Sequence, residues 1–145
     1  MREILFRGKR VDNGEFAYGY VGVFKGTTQI YVPFTEEEEK ENEGHIFSVI
    51  GGLWHTVIPE TVSQFTGLTD KNDKKIFEGD IVEHHIQGNI LVNRGVVNWD
   101  EKSARWAYQL NTMNPCFALY NPSAFEVIGN IHDNPELLEV TDNAG

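Results

Sequence analysis

The sequence predicts a mainly β protein built from short antiparallel strands. Two observations support this class: β-prone runs are short and closely spaced, and turns rich in Gly, Asn and Asp separate them. This spacing favours a small barrel or sandwich over a parallel α/β sheet. The 145 residues suffice for one domain or two small lobes with a real core.

The first half of the chain contains the clearest hairpin signal. Asp12-Asn13-Gly14 separates two β-prone runs, as in tight β-hairpins. Gly19 and Gly22 interrupt the second run, which predicts a bulge or a close approach of the backbone. The strands predicted here cover residues 4–10, 16–24, 28–32, 46–50 and 54–58.

Residues 35–44 form an acidic segment with no apolar residue to bury. Four of its acidic residues are consecutive: Glu36, Glu37, Glu38 and Glu39. Such a run predicts a solvated loop or a frayed helical turn, and a partner-binding acidic loop is the functional alternative. We place a lobe boundary after Glu60, which gives a β lobe over 1–60 and a second lobe over 61–145.

The second half continues with short strands and ends in a predicted helix. Trp99 lies on one strand of a predicted hairpin, and Trp106 and Tyr108 share a face of the other. Asn134 followed by Pro135 predicts the start of a short helix, and a frayed tail follows Val140. The predicted strands cover residues 62–68, 75–77, 81–86, 91–99, 105–110 and 125–131.

The net charge of −10 bounds the class of partner. It disfavours duplex DNA, because binding to phosphates depends on basic residues that release counterions. It permits an acidic surface that meets a basic partner. Two features of the sequence could bind single-stranded nucleic acid: aromatic residues that could stack on bases, and the basic N-terminal residues. The latter are Arg2, Arg7, Lys9 and Arg10.

No catalytic set is evident in the sequence. It has neither a phosphate-binding GxxxxGK loop nor a GxSxG elbow. Cys116 is the only cysteine, which favours a reducing compartment and a packed thiol over a nucleophile. Glu78 and Asp80 flank a glycine and could form a carboxylate pair, but turn residues before a strand have the same pattern.

Metal-binding patterns are weak as well. Glu83 and His85 share a strand face, but two ligands alone make a poor site. Asp70 opens a segment like a calcium loop, yet Lys74 and Lys75 stand where a ligand and a glycine are required. We therefore predict no catalytic residue, no metal and no cofactor.

Two segments carry a family resemblance: TVSQFTGLTD, which starts at Thr61, and IFEGDIV, which starts at Ile76. The start of the chain and EVIGNIHDNPELL from Glu126 support it. The chain resembles the YopX family of small phage and prophage proteins, whose activity is not established. One departure is Asp73, where the family usually has glycine.

The resemblance implies a mainly β fold with an SH3-like barrel in the second half, and it implies no active site. We interpret the motif as a folding signature. Glycines give its turns backbone freedom, apolar residues supply core, and carboxylates accept backbone N–H bonds. Its residues are Thr66, Gly67, Asp70, Phe77, Glu78, Gly79 and Asp80.

The leading functional hypothesis is a phage accessory protein that acts as a non-enzymatic interaction module for an unknown phage or host macromolecule. The candidate surface comprises Glu36, Glu37, Glu38, Glu39, Trp99 and Trp106. The alternatives are single-stranded nucleic-acid binding through a barrel face, and a metal-dependent or hydrolytic enzyme. We find no signal peptide or membrane span, and so expect the host cytoplasm. Homo-oligomerisation stays open.

Overall fold

The computed structural model describes residues 2–45, 51–110 and 117–139. The predicted strand at 46–50, Cys116 and the tail after Val140 lie outside these residues. The predicted mainly β class is confirmed, with two antiparallel sheets and one minor α-helix. The described strands are β1 (Phe6–Lys9), β2 (Phe16–Phe24), β3 (Thr27–Pro33), β4 (Gly52–Thr56), β5 (Ser63–Thr69), β6 (Lys75–Phe77), β7 (Asp80–Ile86), β8 (Ile90–Asp100), β9 (Arg105–Gln109), β10 (Phe117–Ala118) and β11 (Phe125–Asn130).

The chain divides into two compact units, Glu3–Gln64 and Phe65 onwards. The division falls inside β5, whereas the sequence placed the boundary after Glu60. In the first unit the strands follow the order β4-β3-β2-β1, and β1 also pairs with the start of β5. All these pairings are antiparallel.

The first unit's sheet curves back on itself. A bridge joins Arg10 to Val57, and the Ile58 N–H donates to the Lys9 carbonyl at 2.8 Å, so the end of β4 meets the end of β1. The concave side holds a small core of Ala17, Ile30 and Val57. Gly19 allows the tight approach of β3, because a Cβ there would collide with the carbonyl oxygen of Tyr31.

The acidic segment contains the α-helix α1, Glu36–Glu41. Thr35 closes a capping box: its hydroxyl accepts from the Glu38 N–H at 3.3 Å, and the Glu38 carboxylate accepts from the Thr35 N–H at 2.8 Å. No residue of α1 is buried. The cap and the glutamates in the first turn therefore stabilise a regular helix where the sequence predicted a loop or a frayed turn.

In the second unit, β5 pairs with β6, and a five-stranded sheet follows the order β10-β9-β8-β7-β11. The two edge strands of this sheet, β10 and β11, do not pair with each other among the described residues. The closed SH3-like barrel implied by the family resemblance is therefore not found in the part of the chain that the structure describes, where the two-residue β10 pairs with β9 alone. The core contains Ile76, Val82, Val97, Tyr108, Leu119, Phe125 and Val127.

The predicted terminal helix is only a 3₁₀ turn, Pro135–Leu138. Asn134 does not cap it with its side chain. Instead, the Asn134 Oδ1 accepts from the Asn130 N–H at 3.3 Å. The asparagine thus stabilises the turn after β11, and the last element stays one turn long.

The signature carboxylates of the second unit hold backbone turns. Asp70 is 4% exposed, and its oxygens accept from the N–H groups of Asn72 at 2.8 Å and of Lys74 and Val127 at 2.9 Å. The loop after β5 is thereby fastened to β11. Asp73, the departure from glycine, has a φ of 61°, a left-handed conformation that aspartate tolerates better than most residues.

The remaining signature residues support neighbouring turns. The Thr66 hydroxyl donates to the carbonyl of Ile76 at 2.8 Å, and the Asp80 carboxylate accepts from the Phe77 N–H at the same distance. Gly67 and Gly79 have φ of 87° and 86°, which favours glycine at both turns.

Candidate functional site

Aromatic side chains cover the convex side of the first unit's sheet. Tyr20 pairs with Tyr31, and Tyr31 pairs with Trp54, so the three side chains form one row across β2, β3 and β4. Directly opposed residues of antiparallel strands share a face. We call this surface the outer aromatic face; it comprises Phe16, Tyr18, Tyr20, Phe24, Tyr31 and Trp54.

Much of this face is accessible to solvent. Tyr20 is 51% exposed and Trp54 is 40% exposed, whereas Ile30, which faces the opposite side, is fully buried. Along β2, Ala17 and Gly19 are buried on the side of Ile30, and the large rings lie on the opposite side. Val21 and Val23 share the side of Ala17 but are exposed towards the end of the strand. Exposed apolar patches of this kind mark interaction sites more often than isolated surface residues do.

Ring contacts give the outer aromatic face a defined surface. Trp54 lies 4.9 Å from Phe24 in an edge-to-face arrangement, and 5.1 Å from Tyr31. Gly22 makes room for this cluster, because a Cβ there would come within 3.1 Å of the Trp54 ring. The rings support one another, so their conformational freedom is already restricted before any partner binds.

One end of the face carries cations that contact a ring. The guanidinium of Arg7 lies 4.4 Å from the centre of Phe16, and the ammonium of Lys9 lies 4.1 Å from it. Arg7 is 4% exposed and also donates to the Ser63 hydroxyl at 3.2 Å. Two of the basic N-terminal residues considered for nucleic-acid binding, Arg7 and Lys9, therefore contact the Phe16 ring within the fold.

The predicted acidic residues follow β3 closely. Helix α1 begins at Glu36, three residues after β3 ends at Pro33. Glu36, Glu37 and Glu39 are exposed, while Glu38 closes the capping box. The first unit thus joins a ring-covered sheet face to a negatively charged helix within a short stretch of chain.

The two predicted tryptophans meet in the second unit. Trp99 and Trp106 are cross-strand partners on β8 and β9, with ring centres 5.1 Å apart. Trp99 is 46% exposed, whereas Trp106 packs against the core. Trp106 and its neighbour Arg105 also line an open groove of about 430 Å³. Arg105 is paired with Asp100 at 3.3 Å.

The structure brings Glu83 and His85 together with Glu126. Ligand atoms of these three residues lie within 4.8 Å of one another, a spacing that could hold a metal ion. Lys71 reaches the same place, with its ammonium 3.1 Å from the His85 Nδ1. Arg94 is paired with Glu83 at 2.6 Å.

The positive charges of Lys71 and Arg94 determine how we interpret this cluster. The Arg94 hydrogen bond is the main reason why the pKa of Glu83 lies below its ordinary value. Lys71 also lies 3.9 Å from Glu126. A metal ion at this place would have to displace Lys71 and Arg94 or bind against the repulsion of their positive charges. We interpret the cluster as an ion-pair network that joins the Asp70 loop to β7, β8 and β11.

Of the carboxylates Glu78 and Asp80, considered from the sequence as an acid–base pair, Asp80 has a role in a turn. The Asp80 carboxylate is 2% exposed and accepts from a backbone N–H. Burial raises the pKa of Glu78 above its ordinary value. One group is thus committed to a turn, which fits the structural interpretation of the motif.

A cleft of about 360 Å³ beside His84 and Tyr120 was not found from the sequence. The His84 ring stacks on Phe125 at 4.7 Å, and its Nδ1 lies 3.2 Å from the Tyr108 hydroxyl. Burial raises the pKa of Tyr108. The imidazole is thus tied to the core residues Phe125 and Tyr108.

The YopX protein family model matches residues 5–139. This chain belongs to that family. It is also similar to the crystal structure of protein EF1440 from Enterococcus faecalis, with 21% identity and a TM-score of 0.50; the match covers 96% of this chain and 100% of that one. No curated protein matches the chain. The structural likeness shows a shared fold and carries no activity with it.

The outer aromatic face is the feature that sequence reasoning missed. The sequence does contain a pattern that indicates this face, because Phe16, Tyr18 and Tyr20 occupy every second position of one strand. Alternating aromatics on a strand usually face a core, so the pattern alone did not mark a surface, and the candidate aromatics from the sequence were Trp99 and Trp106. The pattern identifies a shared face but does not say whether another layer covers it.

Proposed function

We propose that this YopX protein is a phage or prophage accessory protein that acts as a non-enzymatic macromolecular interaction module. The observation that carries the proposal is the outer aromatic face, with Tyr20 51% and Trp54 40% exposed. Exposed Tyr and Trp supply large contact areas, and they are enriched among the residues that dominate binding energies. The host cytoplasm is the proposed compartment. None of the described helices is long and apolar enough to cross a bilayer.

The polar clusters of the second unit support a non-enzymatic role. Glu83 is paired with Arg94, His85 contacts Lys71, and Asp70 accepts three backbone N–H groups. Groups committed in this way hold the fold together. A general base, in contrast, must lie within hydrogen-bond distance of the substrate proton that it removes.

Single-stranded nucleic acid is the second candidate partner. Half-exposed rings on a sheet can stack bases, at roughly 1–3 kcal/mol per base. The net charge of −10 opposes this partner, because it repels phosphates before stacking begins.

Affinity capture from host lysate tests the proposal with two matched double variants. One removes Tyr20 and Trp54 (Y20A/W54A), and the other removes Tyr120 and Leu91 (Y120A/L91A), so each loses one exposed Tyr and one further exposed large apolar side chain. We expect a protein captured by the wild type to be lost with the first variant and kept with the second. If both double variants capture the same proteins as the wild type does, this assignment is wrong.

A further inference from the structure

We infer that the outer aromatic face binds a basic, arginine-rich polypeptide segment. This inference rests on the proposed function and names its partner by chemistry. Three observations carry it: the rings of this face already bind cations within the fold, the row across β2, β3 and β4 presents further rings to solvent, and the protein's charge attracts cations.

The internal contacts establish what these rings accept. Arg7 and Lys9 both lie over Phe16, at 4.4 Å and 4.1 Å from the ring centre. The negative face of an aromatic ring attracts a cation within about 6 Å. Tyr20 and Trp54 belong to the same sheet face and present 51% and 40% of their surface to solvent. They offer an incoming side chain the same chemistry.

Charge complementarity decides between a basic and an acidic partner. The whole chain carries a net charge of −10, and α1 begins three residues after β3, the strand that carries Tyr31. Such a field speeds the approach of a polycation and slows that of a polyanion. The exposed glutamates of α1 therefore favour a basic segment beside the rings.

The geometry favours arginine over lysine. A guanidinium is planar, stacks on aromatic faces and is weakly hydrated, whereas an ammonium holds its water more strongly. The tilted rings of Tyr31 and Trp54, 5.1 Å apart at 46°, offer both a face and an edge. We therefore expect an arginine-rich segment to bind more tightly than its lysine counterpart.

Fluorescence anisotropy with three labelled probes tests the inference. The probes are a twelve-residue Gly/Ser peptide with four arginines, the same peptide with four lysines, and a twelve-nucleotide oligo(dT). With the full-length protein we expect the order arginine peptide, then lysine peptide, then oligo(dT). Y20A/W54A should weaken the arginine peptide by about tenfold, because two ring contacts are lost. Y120A/L91A should change its affinity by less than about twofold, within the scatter of surface substitutions.

A second variant separates charge from stacking. Changing Glu36, Glu37 and Glu39 to Gln should weaken the arginine peptide and flatten its salt dependence, with the preference for arginine over lysine intact. An unchanged affinity in Y20A/W54A would mean that bulk charge alone attracts the peptide, and an equal loss in both double variants would mean that the outer aromatic face is not the binding surface; either result would overturn the inference. Circular dichroism melting of each variant verifies that the fold is kept.

Other outcomes distinguish this inference from the proposed function. Preferential binding of oligo(dT) that needs Tyr20 and Trp54 would assign the face to single-stranded nucleic acid and leave the interaction module standing. Failure of all three probes, with lysate capture still lost in Y20A/W54A, would overturn the basic partner alone. Concentration-dependent self-association that Y20A/W54A abolishes would assign the face to a second copy of the chain.

Discussion

The first unit holds large rings on the outside of a small core, whereas the second unit buries Phe77, Tyr108 and Phe125. Tyr20 and Trp54 are about half exposed in the first unit, but Phe77 and Tyr108 are 3% exposed in the second and Phe125 is fully buried. Both units use the same alternation of strands. The difference teaches that ring exposure, rather than ring content, separates a candidate binding face from a structural core.

Among the substitutions that test this difference between the units, we expect the largest loss of stability from truncating Phe77. It lies in the second unit, 5.6 Å from Phe65 between ring centres, and is 3% exposed. We expect Phe77→Ala to destabilise the fold by about 3–5 kcal/mol through lost burial and a residual cavity. Chemical denaturation measures the change. A loss below about 1 kcal/mol would mean that Phe77 is not a core residue.

Asp70 tests whether the signature carboxylates hold the second unit. Its side chain accepts three backbone N–H groups, including that of Val127 on β11. Asp70→Ala should cost about 2–3 kcal/mol, because buried donors lose a charged acceptor. Asp70→Asn is the matched control and should cost less, since its carbonyl oxygen can keep one or two of these bonds. Equal costs for the two variants would contradict a geometric role.

Glu83 gives a smaller and pH-dependent effect within the second unit. Its pKa is lowered mainly by the Arg94 hydrogen bond, so the ionised form stabilises the fold above the ordinary glutamate pKa, about 4.3. This stabilisation is lost as the pH falls through the lowered folded-state pKa. We expect Glu83→Gln to be less stable than the wild type at pH 7, with a difference that shrinks towards pH 3. Thermal melting across this range measures it, and a constant difference would contradict the ion pair.

Tyr20 gives the corresponding measurement of stability in the first unit. Its ring is 51% exposed, so Tyr20→Ala should change stability by less than about 1 kcal/mol, in contrast to Phe77→Ala. Denaturation under the conditions used for Phe77 makes the two values comparable. A cost above about 2 kcal/mol would show that the outer aromatic face is structural, and would weaken its proposed role in binding.

The smallest effect is expected for α1. None of its residues is buried, so replacing residues 36–43 with a Gly/Ser linker of equal length should shift the melting temperature by only a few degrees. Differential scanning calorimetry measures the shift. A collapse in stability would indicate that the acidic helix has a structural role in the first unit.

The sequence by itself determined the class of fold, the family and the positions of most strands. Runs such as Phe16–Phe24 and Phe125–Asn130 were found because alternation and turn residues are local signals, readable within a few positions. The hairpin turn at Asp12-Asn13-Gly14 and the close approach at Gly19 are signals of the same kind. The helix α1 was only half predicted, because its stability depends on a capping geometry between Thr35 and Glu38.

Only the tertiary structure decided which faces are buried and which charges meet. Alternation places Tyr18 and Tyr20 on one side of β2, but the return of β4 to β1 decides that the core lies on the other side. Likewise, Lys71 and Glu126 are far apart in sequence and meet at His85 only because the Asp70 loop is fastened to β11. Burial and ion pairing depend on what packs against a residue, and strand periodicity carries no information about that neighbour.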